Sequence, residues 1–266
     1  MDLILLSGGI NDVKVDTILN PLTDSTRLSA DCVGIEDPMY NVLIKLLNKC
    51  NNSKIIATSY YPIVSKDTPE SALNDFAKEL FFNDPNYLHK AGALGVILNP
   101  LTFTDLGSDA LNSMRVNSNT FDSQSRESIG RAIDRVNVYS RSHFNEEKVF
   151  FVPVDFPSER SYGTSSSWLW KLTDTNNGGK TNAHKYTDRV SLCDKTYNLF
   201  CNWDDKIDAV GHPNAEGARE YANDIESIIK SKGKTQSVLR NNGIRPQQIV
   251  SKKRIELFPI PLTMVR

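Results

Sequence analysis

The sequence predicts an α/β protein, a doubly wound parallel sheet inside a three-layer α/β/α arrangement. Three short runs, residues 2–7, 54–60 and 148–154, are mostly apolar instead of alternating, the pattern of strands covered on both faces. Amphipathic helical patterns lie between and after them, so the order is βαβαβα. Parallel strands joined by right-handed crossovers follow from that order.

Along the chain, the first run ends at Ser7 and leads directly into Gly8-Gly9-Ile10-Asn11-Asp12. Residues 38–48 then place Met39, Val42, Leu43, Leu46 and Leu47 at helical spacing. After the second run, from about 61 to 120, the pattern loosens into Pro, Asn, Asp and Ser with scattered aromatics. This stretch is expected to be an insertion over the active face, with short helices of its own near residues 73–82. Helical spacing returns at residues 125–139, with Ile129, Ala132, Ile133, Val136 and Tyr139. The third run is followed by an irregular stretch, 156–203, containing Tyr162, Trp168, Trp170 and an Asn-Asn-Gly-Gly turn at 176–179. Loops of that length usually carry function. Asn214 can cap a final helix whose stripe is Ala218, Tyr221, Ala222, Ile225, Ile228 and Ile229, expected to end near residues 230–233. Beyond it, residues 231–266 hold eight Lys or Arg and one acidic residue, Glu256, which separates a main domain at 1–230 from a basic C-terminal extension at 231–266.

At 266 residues the chain is long enough for one large domain with a substantial core. Lys+Arg 31 against Asp+Glu 32 leaves a net charge of −1, so neither a nucleic-acid partner nor charge-driven membrane attachment is expected of the whole chain. The short basic tail reads as a solvated extension. The longest apolar stretches are strand-sized, well short of the roughly 20 residues that cross a bilayer. Cys32, Cys50, Cys193 and Cys201 include no Cys-x-x-Cys pair, so no metal site and no cofactor are expected. Cys32 with Cys50, and Cys193 with Cys201, are possible disulfides in an oxidising compartment; in a reducing one all four are free thiols.

Two motifs carry chemistry. Asn11 follows the first strand, and in an open α/β sheet functional groups gather outside the carboxyl ends of the strands. An asparagine amide there can donate to a developing oxyanion, although a Gly-Gly-x-Asn-Asp sequence is also an ordinary turn. The second motif is Gly211-His212-Pro213-Asn214-Ala215-Glu216-Gly217, just before the final helix. Histidine at such a turn can serve as a general base, and a nearby carboxylate would orient its ring. It can equally be a bystander beside a Pro-Asn cap.

In this order and at this separation, Gly9-Ile10-Asn11-Asp12 and His212-Pro213-Asn214-Ala215-Glu216-Gly217 resemble two of the sequence blocks of the SGNH (GDSL-type) hydrolase superfamily. Lys54-Ile-Ile-Ala-Thr-Ser-Tyr-Tyr-Pro-Ile and Val149-Phe-Phe-Val-Pro-Val look like the family's following core strands. Glu159-Arg-Ser-Tyr-Gly-Thr, leading to Trp168-Leu-Trp170, is similar to bacterial lipase-like and esterase-like members. The resemblance covers about residues 1–230. It implies a flavodoxin-like sheet and a carboxylic ester hydrolase acting on a small-molecule, lipid or acylated-saccharide ester. Asn11 would be the oxyanion-hole amide, Gly9 the glycine beside it, His212 the base and Asp208 its orienting acid. The commonest family spacing, Asp-x-x-His, falls on Ala209, so Asp204, Asp205 or a backbone carbonyl remain alternatives to Asp208.

The family's nucleophile lies in a Gly-Asp-Ser block, and no such tripeptide occurs in the chain. Ser7 precedes the glycines on the wrong strand, and Ser165–Ser167 sit in a loop without a strand-to-helix turn. The covalent route therefore lacks its serine, and activity of this chain alone is expected to be weak or absent. The family's strand order, 2-1-3-4-5, adds a structural expectation: with the first strands missing, residues 2–7 form an exposed apolar edge. Met1 falls inside a strand pattern, so an upstream segment with the nucleophile and any secretion leader is expected. A rival from another class is a non-catalytic carbohydrate-binding or interaction protein that stacks ligands on Tyr60, Tyr61, Tyr162, Trp168 and Trp170. A phosphate-binding flavodoxin-like protein is disfavoured because no glycine-rich strand-to-helix loop of the required form is present.

Overall fold

The computed structural model describes residues 2–78, 107–171 and 211–240, with only the backbone given for Asn11, Asp16 and residues 232–240. The chain divides into two compact units, Met1–Ile228 and Ile229–Arg266, and the sheet belongs to the first. Its strands are β1 (Leu3–Ser7), β2 (Lys54–Thr58) and β3 (Val149–Val152). They are parallel, in the order β1-β2-β3, with Leu5 beside Ile56 and Ile56 beside Phe150. The predicted mixed α/β class with a parallel sheet is present.

Four helices join β1 to β2: α1 (Ile10–Val13), α2 (Val15–Leu19), α3 (Ser25–Val33) and α4 (Glu36–Lys49). Between β2 and β3 lie α5 (Glu70–Ala77) and α6 (Ser108–Phe144), and the chain continues through a 3-10 turn at Ser158–Arg160 to α7 (Ala215–Arg240). Local chemistry sets several of these ends. The Asp24 carboxylate accepts the Thr26 N–H at 3.0 Å and caps α3. Glu36 and Asp37 sit in the first turn of α4 and Lys49 in its last, as the helix dipole favours. Asn145, at φ 57°, takes the left-handed position that stops α6.

Burial differs along the sheet. Every residue of β2 is buried, as expected for a strand paired on both sides. On β1 burial alternates, and Leu3 and Leu5 are 48% and 47% exposed. The expectation that all three runs are covered on both faces fails for β1: among the described residues it pairs with β2 alone, and its Leu3–Leu5 side is half-exposed. At the opposite edge, the Asn137 amide occupies the Val149 backbone, donating to its carbonyl at 2.8 Å and accepting its N–H at 3.2 Å.

The largest correction concerns α6, which runs unbroken through 37 residues. Residues 108–120 belong to this helix and bury Leu111 and Met114 in line with Phe121, so they are not part of an insertion over the active face. The stripe was obscured because small polar residues share it. Asn117 donates to the Asn20 carbonyl at 3.0 Å, and the Ser118 hydroxyl accepts the Val64 N–H at 3.1 Å, so both are satisfied in the interior. A second correction is that α7 continues through Gly233 to Arg240. Glycine weakens a helix interior by about 1 kcal/mol without stopping it.

At the amino ends of β2 and β3, Lys54 and Lys148 are buried to 7% side-chain exposure and share the Glu146 carboxylate. Burial alone would raise the Glu146 pKa, but the two ammonium groups more than reverse this and hold it below its ordinary 4.5. The folded state thus favours the ionised carboxylate. Its contribution is complete above the ordinary value and is lost as pH falls through the lowered one. Thermal melts across acidic pH are expected to show Tm falling below about 4.5, with a shallower fall in Glu146→Gln. Phe121, fully buried, anchors α6; Phe121→Ala is expected to lower unfolding free energy by about 3–5 kcal/mol in urea titration.

Candidate functional site

Because the strands are parallel, their exits lie at one end of the sheet: residues 8–12 after β1, 59–61 after β2 and 153–156 after β3. Gly9 has φ 116°, and a Cβ there would approach Ile35 Cγ2 to 3.1 Å, so the turn out of β1 requires glycine. Asn11 follows in α1, and its side chain lies outside the described residues. The Ser59 hydroxyl joins the other two exits by accepting the Val154 N–H at 2.9 Å and donating to the Tyr60 carbonyl at 3.1 Å.

An aromatic cluster grows from this point. Tyr61 stacks on Phe156 with centroids 4.7 Å apart and meets Tyr221 edge-on at 6.0 Å. Burial pushes the Tyr61 and Tyr221 phenols above the usual range, so they remain protonated and act as donors. Tyr221 donates to the Ser59 carbonyl at 3.3 Å, and Tyr61 to the Gly211 carbonyl at 2.9 Å. The second bond fixes the His212 turn at the exit of β2.

The rest of that turn is held by residues 167–170. Leu169 and Pro213 form an antiparallel bridge, the Trp170 N–H donates to the His212 carbonyl at 2.9 Å, and the Gly211 N–H donates to the Trp170 carbonyl at 3.0 Å. Asn214 is buried; its amide donates to the Ser167 carbonyl at 2.8 Å while its oxygen caps α7 by accepting the N–H groups of Glu216 and Gly217. At Gly217 a Cβ would stand 2.4 Å from the Trp168 carbonyl oxygen. Asn214 and Gly217 therefore have structural tasks. His212 is exposed, and no described residue hydrogen-bonds its imidazole, so its ring faces solvent.

The structure brings the His212 turn and the Gly9–Asn11 turn to the same end of adjacent strands. Asp208, Asp204 and Asp205 lie outside the described residues, as do Cys193 and Cys201. No described serine hydroxyl bonds to His212; the Ser167 hydroxyl is spent on the Leu169 backbone. Among the described residues, no group of three His, Cys, Asp or Glu converges as a metal site.

Of the two alternatives left open for Cys32 and Cys50, the structure has the free thiols: Cys32 lies in α3 and Cys50 follows the 14-residue helix α4. Burial, with Asp31 nearby, pushes the Cys32 thiol up to about 11. Tyr61, Tyr162 and Trp170 are core residues, at 7%, 2% and 6% exposure, Tyr60 and Trp168 are partly buried, and Arg160 lies over the Trp168 ring at 5.1 Å. Sequence reasoning missed Tyr61 as the anchor of the His212 turn; its place directly after a strand was the available signal.

Gly217→Ala is expected to destabilise by at least about 1–3 kcal/mol, because the obstruction is backbone, and Tyr61→Phe by about 1–3 kcal/mol through the unpaired Gly211 carbonyl. Urea unfolding followed by tryptophan fluorescence measures both. No family model, curated protein or solved structure matches the chain.

Proposed function

We propose that the carboxyl end of the sheet carries out carboxylic ester hydrolysis in the SGNH manner, with His212 as general base and Asn11 as oxyanion donor. The observation that supports this is the Tyr61–Gly211 hydrogen bond of 2.9 Å, which seats the His212 turn on β2 beside the strand whose exit bears Asn11. An exposed imidazole on a backbone fixed by Trp170 can meet a substrate without rearrangement of the fold. Gly9 gives the neighbouring turn the tight form that leads into Asn11, and Asp208 would orient the base.

In this reading His212 accepts a proton from the attacking hydroxyl while Asn11 stabilises the negative charge on the carbonyl oxygen. The full covalent route requires a serine presented to His212. Without one, His212 activates water, which attacks only esters with good leaving groups at a useful rate. The substrate class is a small, lipid or acylated-saccharide ester.

With the purified chain and p-nitrophenyl acetate, slow hydrolysis is expected, reduced on the order of 10²-fold in both His212→Ala and Asn11→Ala. A rate unchanged in His212→Ala would reject the assignment of the base. Saccharide binding without any turnover would instead favour a non-catalytic protein.

A further inference from the structure

Among the described residues the sheet has one closed edge and one open edge. At β3 the Asn137 amide takes both backbone groups of Val149, donating to its carbonyl at 2.8 Å and accepting its N–H at 3.2 Å. β1 has no such cover and pairs with β2 alone. The Lys54 N–H donates to the Asp2 carbonyl at 3.0 Å, and in a parallel ladder alternate residues of a strand turn to the same neighbour. Asp2, Ile4 and Leu6 therefore turn their backbone groups to β2. Leu3, Leu5 and Ser7 turn their N–H and C=O groups outward, along the free edge.

The same three residues are the exposed ones of the strand, with Leu3 and Leu5 48% and 47% exposed, while Ile4 and Leu6 pack on the core. The run Leu3-Ile4-Leu5-Leu6-Ser7 has no charge, no proline and no bulge, the devices that usually keep an edge from pairing. Its outward groups are also symmetric about Leu5. A twofold axis through Leu5, perpendicular to the sheet, lays an identical strand antiparallel to β1, with Leu5 opposite Leu5 and Leu3 opposite Ser7 of the second copy. In that register each outward N–H of β1 meets a carbonyl. Charge agrees with the pairing as well, since the strand sets no like charges against each other and Asp2 falls opposite Gly8, which has no side chain. A second copy of this chain fits the edge.

We propose that two copies of the chain pair through β1, joining two three-stranded sheets into one with the Leu5 side chains in contact at the axis. An interface one strand wide falls in the small, transient class below about 1,200 Å², so its Kd is expected on the order of 10–100 µM. The pairing is independent of the ester chemistry assigned to His212. Sedimentation velocity of the full chain, over concentrations spanning that constant, is expected to show monomer passing to dimer. Hydrogen exchange of residues 3–7 is expected to slow over the same range, a measurement that needs no substitution.

Leu5→Lys and Leu5→Glu, each placing like charges opposite one another, are each expected to weaken dimerisation at least about tenfold. An equal mixture of the two is expected to recover the dimer, because lysine then faces glutamate. Circular dichroism checks that both variants are folded. The proposal is overturned if the parent chain stays monomeric with unchanged exchange, if either variant alone dimerises like the parent, or if the mixture of folded variants remains monomeric. Protection of residues 3–7 at every concentration in a monomer would place another segment of the same chain on the edge, and overturns it too.

Discussion

Strand β2 is paired along both edges and covered on both faces, and the rest of the described structure hangs on it. Lys54 at its start holds the Glu146 carboxylate, which also binds Lys148 at the start of β3. Ser59 just beyond its end bonds the chain leaving β3, and Tyr61 two residues later holds the turn that precedes α7. A five-residue strand thus organises both ends of the molecule. The amino end uses charge, where buried lysines must be paired, and the carboxyl end uses aromatic packing with neutral hydroxyl donors.

That division has a functional consequence. Interactions at the amino end depend on ionisation and weaken in acid. The phenols at the carboxyl end are kept neutral by burial, so the scaffold under His212 does not change its charge over the ordinary pH range. The exposed imidazole of His212 thus stands on a support that stays neutral. The same economy accounts for the motif around it: Asn214 and Gly217 let residues 167–170 approach the start of α7 closely, which places His212 in the open.

The two edges of the sheet are treated differently. Asn137 satisfies the outward backbone of Val149 at β3, whereas β1 keeps Leu3 and Leu5 half-exposed at the other side. Among the described strands, an uncharged apolar edge of this kind is open to further pairing. The arginines of α6 show a similar contrast, since four are neutralised by α4 or by local carboxylates while Arg115 turns to a backbone carbonyl.

The α/β class, the three strands and the core helices around Leu43 and Ile133 were legible because apolar periodicity is a local property of a chain. Glycine at positions 9 and 217 and the cap at Asn214 were legible for the same reason, although only the packing showed why Gly217 must be small. The full length of α6 was not, because whether Asn117 and Ser118 face solvent or core depends on partners at Asn20 and Val64, distant in sequence. Nor could the chain alone reveal that Tyr61 and Trp170 are buried, or that Cys32 and Cys50 are free thiols. The sequence by itself determined which residues could carry chemistry; tertiary structure decided which of them are exposed and which support the others, since burial and hydrogen bonding are set by contacts across the fold.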